Sequence, residues 1–156
     1  MTGRTLVAGI GNIFLGDDGF GVEVASRLAA QSLPARVRVL DIGIRARDLA
    51  YELIDGGYDT AILVDATMRG GTPGTVYLIE PEIARGAAAP PLTAGDGHSM
   101  EPAAMLAFIG SLTTISTQLL IVGCEPEAVD EHIGLSPVVE AAVDEAVTLV
   151  RQLVCA

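Results

Sequence analysis

The chain has 156 residues, half of them hydrophobic and 19% charged, which is enough apolar material to bury the core of one ordinary domain. Its 9 Lys+Arg stand against 20 Asp+Glu, a formal net charge of -11, which argues against nucleic acid or an anionic membrane surface as main partner, since both attract positive charge. Cys124 and Cys155 make no disulfide framework, no run of about 18 uncharged apolar residues offers a membrane span, and the opening "MTGRTLVAGIGN" lacks the features of a signal peptide, so the reducing cytoplasm is the expected compartment.

Residues 5–10 form an apolar run of strand length. Residues 20–30 carry a helical period that predicts a buried face of Val22, Ala25, Leu28 and Ala29. A second strand is expected over 37–42, and a short helix over 48–54 stopped by Gly56-Gly57. "TAILVDA", residues 60–66, is the most apolar strand of the set. Residues 75–80 follow a Gly-Gly-Thr-Pro-Gly turn too short for a crossover helix, which predicts an antiparallel edge strand. Residues 81–97, rich in Pro, Gly and Ala, read as a long loop. Residues 101–110 read as a helix with Pro102 in its first turn. "QLLIVGC" is a strand, and residues 136–154 are a closing amphipathic helix whose Leu/Ala/Val stripe is core.

Strand and helix alternate, the pattern of an α/β fold. The expected architecture is a single three-layer domain over residues 1–156. Its twisted sheet of about five strands is mostly parallel, with one antiparallel edge strand and helices on both faces. In such sheets ligands bind beyond the carboxyl ends of the strands, where strand order reverses. An order of 2-1-3 makes the first and third strands neighbours and turns Asp17, Asp18 and Asp65 toward one crevice.

The stretch "LVAGIGNIFLGDDGFGVEVA" opens like a dinucleotide loop but lacks its third glycine, since Phe14 stands there. Asp17 and Asp18 sit where a phosphate would have to lie, and like charges repel strongly in a poorly solvated site. Carboxylates gathered at a switch point favour a cation. With an imidazole they make a mixed oxygen and nitrogen set suited to a divalent metal such as zinc or nickel. His98, in "AGDGHSMEP", precedes a helix expected to pack on the same sheet.

Each residue also has a plainer reading. Asp17 precedes a helix, where Asp is a favoured N-cap. Asp65 at a strand end is also suited to anchoring a loop, and a loop histidine such as His98 is ordinarily solvated. His132 lies in another carboxyl-side loop. Cys124 with His132 is the alternative nucleophile pair, with no spacing in its favour.

Four blocks taken together resemble the hydrogenase maturation proteases, endopeptidases that trim the C-terminal extension of nickel–iron hydrogenase large subunits. The blocks are "GIGNIFLGDDGFGVEVA", "LVDATMRGGTPGTV", "GHSMEP" and "IVGCEPEAVDEHIGLSPVVEAAV", and the resemblance spans nearly the whole chain. It implies nickel-contacting roles for Asp18, Asp65 and His98, with Asp18 and Asp65 also catalytic. It implies that nickel arrives with the substrate, the large-subunit precursor, and that no nucleotide takes part. Relatives often carry Glu where Asp18 stands, one methylene longer. They often read Asp-Gly-Gly where this chain has Asp41-Ile42-Gly43, in a loop that the resemblance links to partner selection. That makes Asp41 and Gly43 candidate substrate-binding positions, with Arg45 and Arg47 nearby to meet acidic groups on the client. Metal-assisted hydrolysis and an aspartic-type mechanism both stay open, as does a non-catalytic nickel-sensing chaperone using the same three residues.

Overall fold

The computed structural model describes residues 3–81 and 116–155. Five strands form one sheet in the order β2-β1-β3-β5-β4. They are β1 (Thr5–Ile10), β2 (Val37–Gly43), β3 (Thr60–Ala66), β4 (Val76–Ile79) and β5 (Gln118–Cys124). The β1–β2, β1–β3 and β3–β5 ladders are parallel, and β4 runs antiparallel to β5 at the edge. The three described helices are α1 (Phe20–Ala29), α2 (Ala46–Asp55) and α3 (Pro137–Cys155).

Both central strands are buried along their whole length, as parallel strands covered on two faces must be. Their side chains alternate between two apolar layers. Val7, Ile62, Val64 and Val122 face Phe20, Val24 and Leu28 of α1 and Val139, Val143, Ala146 and Val150 of α3. Leu6, Ala8, Ile10, Leu63 and Ile121 face the other way, onto Leu49 and Leu53 of α2. The predicted helix over 101–110 and the long loop lie outside the described residues.

The first helix buries a different stripe from the expected one. Phe20, Gly21, Val24, Ala25 and Leu28 are buried, whereas Val22 is only half-buried and Ala29 is exposed. The cause is contact between two glycines. A Cβ on Gly21 would stand 2.0 Å from the Val64 carbonyl oxygen and 2.4 Å from that of Ile10. A Cβ on Gly9 would stand 2.3 Å from the Gly21 carbonyl oxygen. Helix and strand therefore touch backbone to backbone, which turns the Gly21 side of α1 onto β1 and β3. The tight helix–strand contact that a dinucleotide loop builds with its third glycine is built here with Gly21.

Smaller differences have local causes. The second helix begins at Ala46, ahead of the expected start, because the Leu49 N–H already reaches the Arg45 carbonyl. It ends as expected at Gly56, with Gly57 at φ 65° beyond it. Helix α3 starts at Pro137, whose missing N–H costs nothing in a first turn, while the Ser136 carbonyl accepts from the Glu140 N–H at 2.8 Å.

Gly21→Ala is expected to destabilise the fold by about 3 kcal/mol, at the upper end for overpacking. The melting temperature should fall by roughly 10 °C in a chain of this size. An unchanged thermal unfolding curve would show that the helix does not rest on the strands in this way.

Candidate functional site

The loop after β1 turns sharply at Gly11, whose φ of 133° no other residue adopts readily. A Cβ there would meet the Asp18 carbonyl oxygen at 1.8 Å and the Asp65 Oδ1 at 3.5 Å. Gly11 thus lies between the two carboxylate-bearing segments. Asn12 then folds the loop on itself, its Oδ1 accepting the Phe14 N–H at 2.9 Å. Residues Gly16–Gly19 form a 3-10 turn carrying both aspartates.

Adjacent in sequence, Asp17 and Asp18 have opposite environments. Asp17 is fully buried and caps no helix, contrary to the N-cap reading. It ties down the segment after β5 instead. Its Oδ2 accepts the N–H groups of Glu127 (2.8 Å) and Ala128 (3.0 Å) and the Ser136 hydroxyl (2.9 Å), and its Oδ1 accepts the Ser136 N–H (2.7 Å). Burial alone would raise this carboxyl. The N–H donors of Ala128, Ser136 and Glu127 and the Ser136 hydroxyl outweigh it and hold Asp17 below the usual carboxylate range.

Asp18 is half-buried and accepts the Asn12 N–H at 2.8 Å. Burial outweighs that bond and raises its pKa. Asp65, at the end of β3, is only 4% exposed. Its carboxyl is raised well above the usual range, first by burial and then by the charge of Asp18, against one N–H bond from Ala66. The structure therefore brings Asp18 and Asp65 together around Gly11 as a coupled pair that resists carrying two negative charges.

Beside this pair opens a groove of about 720 Å³. Its walls come from the loop after β1 (Gly11 to Leu15), the end of β2 and the turn that follows it (Asp41 to Arg45), and the segment after β5 (Glu131 to Ile133). Neither catalytic candidate lines it; the groove reaches them through Gly11 and Asn12. Asp41 and Gly43 sit in its wall. Its rim is apolar and solvent-facing: Phe14 is 60% exposed and Ile133 71%, with Ile13 and Ile44 exposed beside them. The sequence reading missed this rim. Its signal was the apolar run Ile13-Phe14-Leu15 in a turn otherwise made of small and polar residues.

The third candidate ligand, His98, lies outside the described residues. Among the described residues no group of three or more His, Cys, Asp or Glu side chains could hold a metal ion; Asp18 and Asp65 supply two oxygen donors. His132 lies in the groove wall, not with Cys124. Its N–H donates to the Phe14 carbonyl at 3.0 Å, and its carbonyl accepts the Gly16 N–H at 2.8 Å. Cys124 is fully buried, and burial with the nearby charge of Asp17 pushes its thiol up to about 12. That removes it as a nucleophile at neutral pH. Arg45 is exposed but folds back along its own loop, bonding the Ile42 and Asp41 carbonyls and Asp48. Arg47 remains exposed.

Comparison with known proteins places this arrangement. The family model described as hydrogenase maturation protease matches residues 22–153. The hydrogenase 2 maturation protease of Escherichia coli is 31% identical over 147 residues, which cover 92% of this chain and 85% of that protein. The solved structure of the E. coli hydrogenase maturating endopeptidase HybD superposes with a TM-score of 0.74 at 30% identity, covering 94% of this chain and 89% of the other. A hydrogenase 2 maturation peptidase from a Thaumarchaeota archaeon superposes at 0.70 and 32% identity, covering 96% and 97%.

Two stability measurements check the electrostatics. A carboxyl held low in the fold stabilises above its unfolded value, and that contribution vanishes as pH falls through the folded value. Asp17→Asn should therefore cost about 3 kcal/mol at pH 7, because a single amide oxygen cannot serve both sets of donors. The deficit should shrink below about pH 4, as the parent loses the same charge. Asp65 has the opposite sign: its raised carboxyl costs stability above the unfolded value, so Asp65→Asn should melt higher than the parent at pH 8 and converge with it near pH 4. Melting curves across pH 3–8 read both, and a lower melting point for Asp65→Asn at pH 8 would contradict the second.

Proposed function

The chain belongs to the hydrogenase maturation protease family, and on that premise we propose that it is the endopeptidase that removes the C-terminal extension of a nickel-loaded nickel–iron hydrogenase large-subunit precursor. The observation that carries this reading is the Asp18–Asp65 pair, held around Gly11 beside an open groove with an apolar rim. Such a groove suits an extended polypeptide, and such a pair suits hydrolysis of the bond laid across it.

The pair divides the labour. Asp65, deep and repelled by its neighbour, keeps a proton; Asp18, half-exposed and bonded to the Asn12 N–H, is the readier anion. Asp18 takes a proton from water as the water oxygen bonds to the scissile carbonyl carbon. Asp65 gives its proton to the carbonyl oxygen, making a tetrahedral gem-diol. Asp18 then passes the proton it took from water to the leaving nitrogen as the C–N bond breaks, and Asp65 takes back a proton from the diol hydroxyl as the carboxylic acid product forms. The nickel of the precursor, part of the substrate, would add Lewis-acid polarisation when the precursor is seated. Asp18, Asp65 and His98 are the residues that would meet it. Asp41 and Gly43, in the groove wall, would read the client.

Asp18→Asn and Asp65→Asn should each slow precursor shortening at least 100-fold, with nickel-free precursor cut poorly even by the parent chain. Electrophoresis of the large subunit after incubation checks this. Full processing by both variants refutes the assignment. Stable co-elution of parent chain and precursor without shortening identifies a nickel-sensing chaperone instead.

A further inference from the structure

The groove carries one polar group that the loop around it does not use. Asn12 is only 8% exposed and lines the groove. Three of its four polar atoms are engaged within the loop after β1. Its N–H donates to the Asp18 Oδ2 at 2.8 Å. Its carbonyl accepts the Leu15 N–H at 3.1 Å, and its Oδ1 accepts the Phe14 N–H at 2.9 Å. The last bond also fixes which end of the amide is which. An N–H donor demands the oxygen, so the nitrogen points the other way.

That nitrogen, Nδ2, has no hydrogen-bond partner among the described residues. Every fully buried side-chain nitrogen or oxygen among them has one, so Nδ2 is not sealed inside the protein. The groove is the open space that Asn12 borders, and the two N–H bonds of Nδ2 are offered to it. A donor so nearly buried is ordinarily satisfied by its own protein; here the loop leaves it for something that enters the groove. The groove's arginine is not a rival, since Arg45 already bonds the Ile42 and Asp41 carbonyls and Asp48. Placement narrows the partner further. The residue whose N–H holds Asp18 is the residue that offers Nδ2. Water activated at Asp18 adds to a carbonyl carbon, and the oxygen on that carbon is an acceptor suited to an amide donor.

We propose that the Asn12 Nδ2 donates a hydrogen bond to the oxygen of the scissile carbonyl, which makes Asn12 a third catalytic residue beside Asp18 and Asp65. The proposal rests on the proteolytic reading above. As water adds, the carbonyl oxygen gains negative charge until the Asp65 proton reaches it. A donor fixed at that oxygen acts most strongly on the charge that develops in the transition state. The Phe14 bond holds the amide in place beforehand, so little reorganisation is needed when the charge appears. Asn12 keeps both of its amide protons throughout; no atom is transferred to or from it.

The test uses the full chain, nickel-loaded precursor and single-turnover rates at saturating enzyme, with melting temperature measured in parallel. Asn12→Asp keeps an oxygen for the Phe14 N–H and removes the donor. Asn12→Ser removes the donor without adding a charge. Both should lower the maximal rate about a hundredfold, with half-saturation moved less than threefold. A second precursor, completed with a synthetic C-terminal segment, carries sulfur in place of the carbonyl oxygen of the bond that the parent chain cuts. Sulfur is a poor acceptor, so on this precursor each variant should lose less than tenfold against the parent chain. A loop that is only deformed slows both precursors alike. A parental rate in either folded variant overturns the proposal, as do equal losses on the two precursors. Asn12→Asp, in which the turn keeps its bond, stands in should Asn12→Ser fail to fold. If the parent chain leaves the ordinary precursor uncut, the proteolytic reading itself has failed, and that outcome is distinct from a cut precursor with indifferent variants.

Discussion

The site depends on one buried anion. Asp17 bonds four donors from a segment more than a hundred residues away in sequence, and so ties the loop after β1 to the segment after β5. Around it the two segments are sewn backbone to backbone, at Gly16 and His132, Asp17 and Ala128, and Phe14 and His132. A buried carboxylate is tolerable only where its lone pairs are filled, and Asp17 meets that condition. The groove exists because of it: two of the groove's three walls are the strands of chain that Asp17 draws together.

The carboxylates at this end of the sheet fall into two pairs with opposite chemistry. Asp17 and Glu125 have several donors each and are held low, as firm anions that shape loops. Asp18 and Asp65 have few donors, lie close to one another, and are held high. Chain connectivity interleaves them: Asp17 precedes Asp18, and Glu125 gathers the loop that leaves Asp65. The arrangement follows a general division in which settled charges build a frame and unsettled ones carry chemistry.

Much of this was legible in the residues. The alternation of apolar runs and helical periods yields the parallel core with its 2-1-3 strand order and the antiparallel edge, because those features follow from strand burial and connection length. The face of α1 was not legible. A helical period reads apolar side chains, and here the deciding contact is made by Gly21, which has none. Asp17 was readable as structural but not as a loop anchor, since its donors are backbone N–H groups that carry no residue signature. The apolar rim escaped for a related reason: Phe14 looked like a missing glycine, whereas its meaning lies in neighbours, Ile44 and Ile133, brought from two other loops.

Cys124 sits sealed beneath the helices, whereas Cys155 is exposed at the far end of α3. That helix starts beside Ser136, one of the donors to Asp17, and runs about 27 Å to its last residue at the usual rise. For a thiol-reactive dye the folded molecule therefore offers a single attachment point, remote from the groove. Without any engineering, a fluorophore can be placed away from Asp18 and Asp65 and used to follow docking of a large partner.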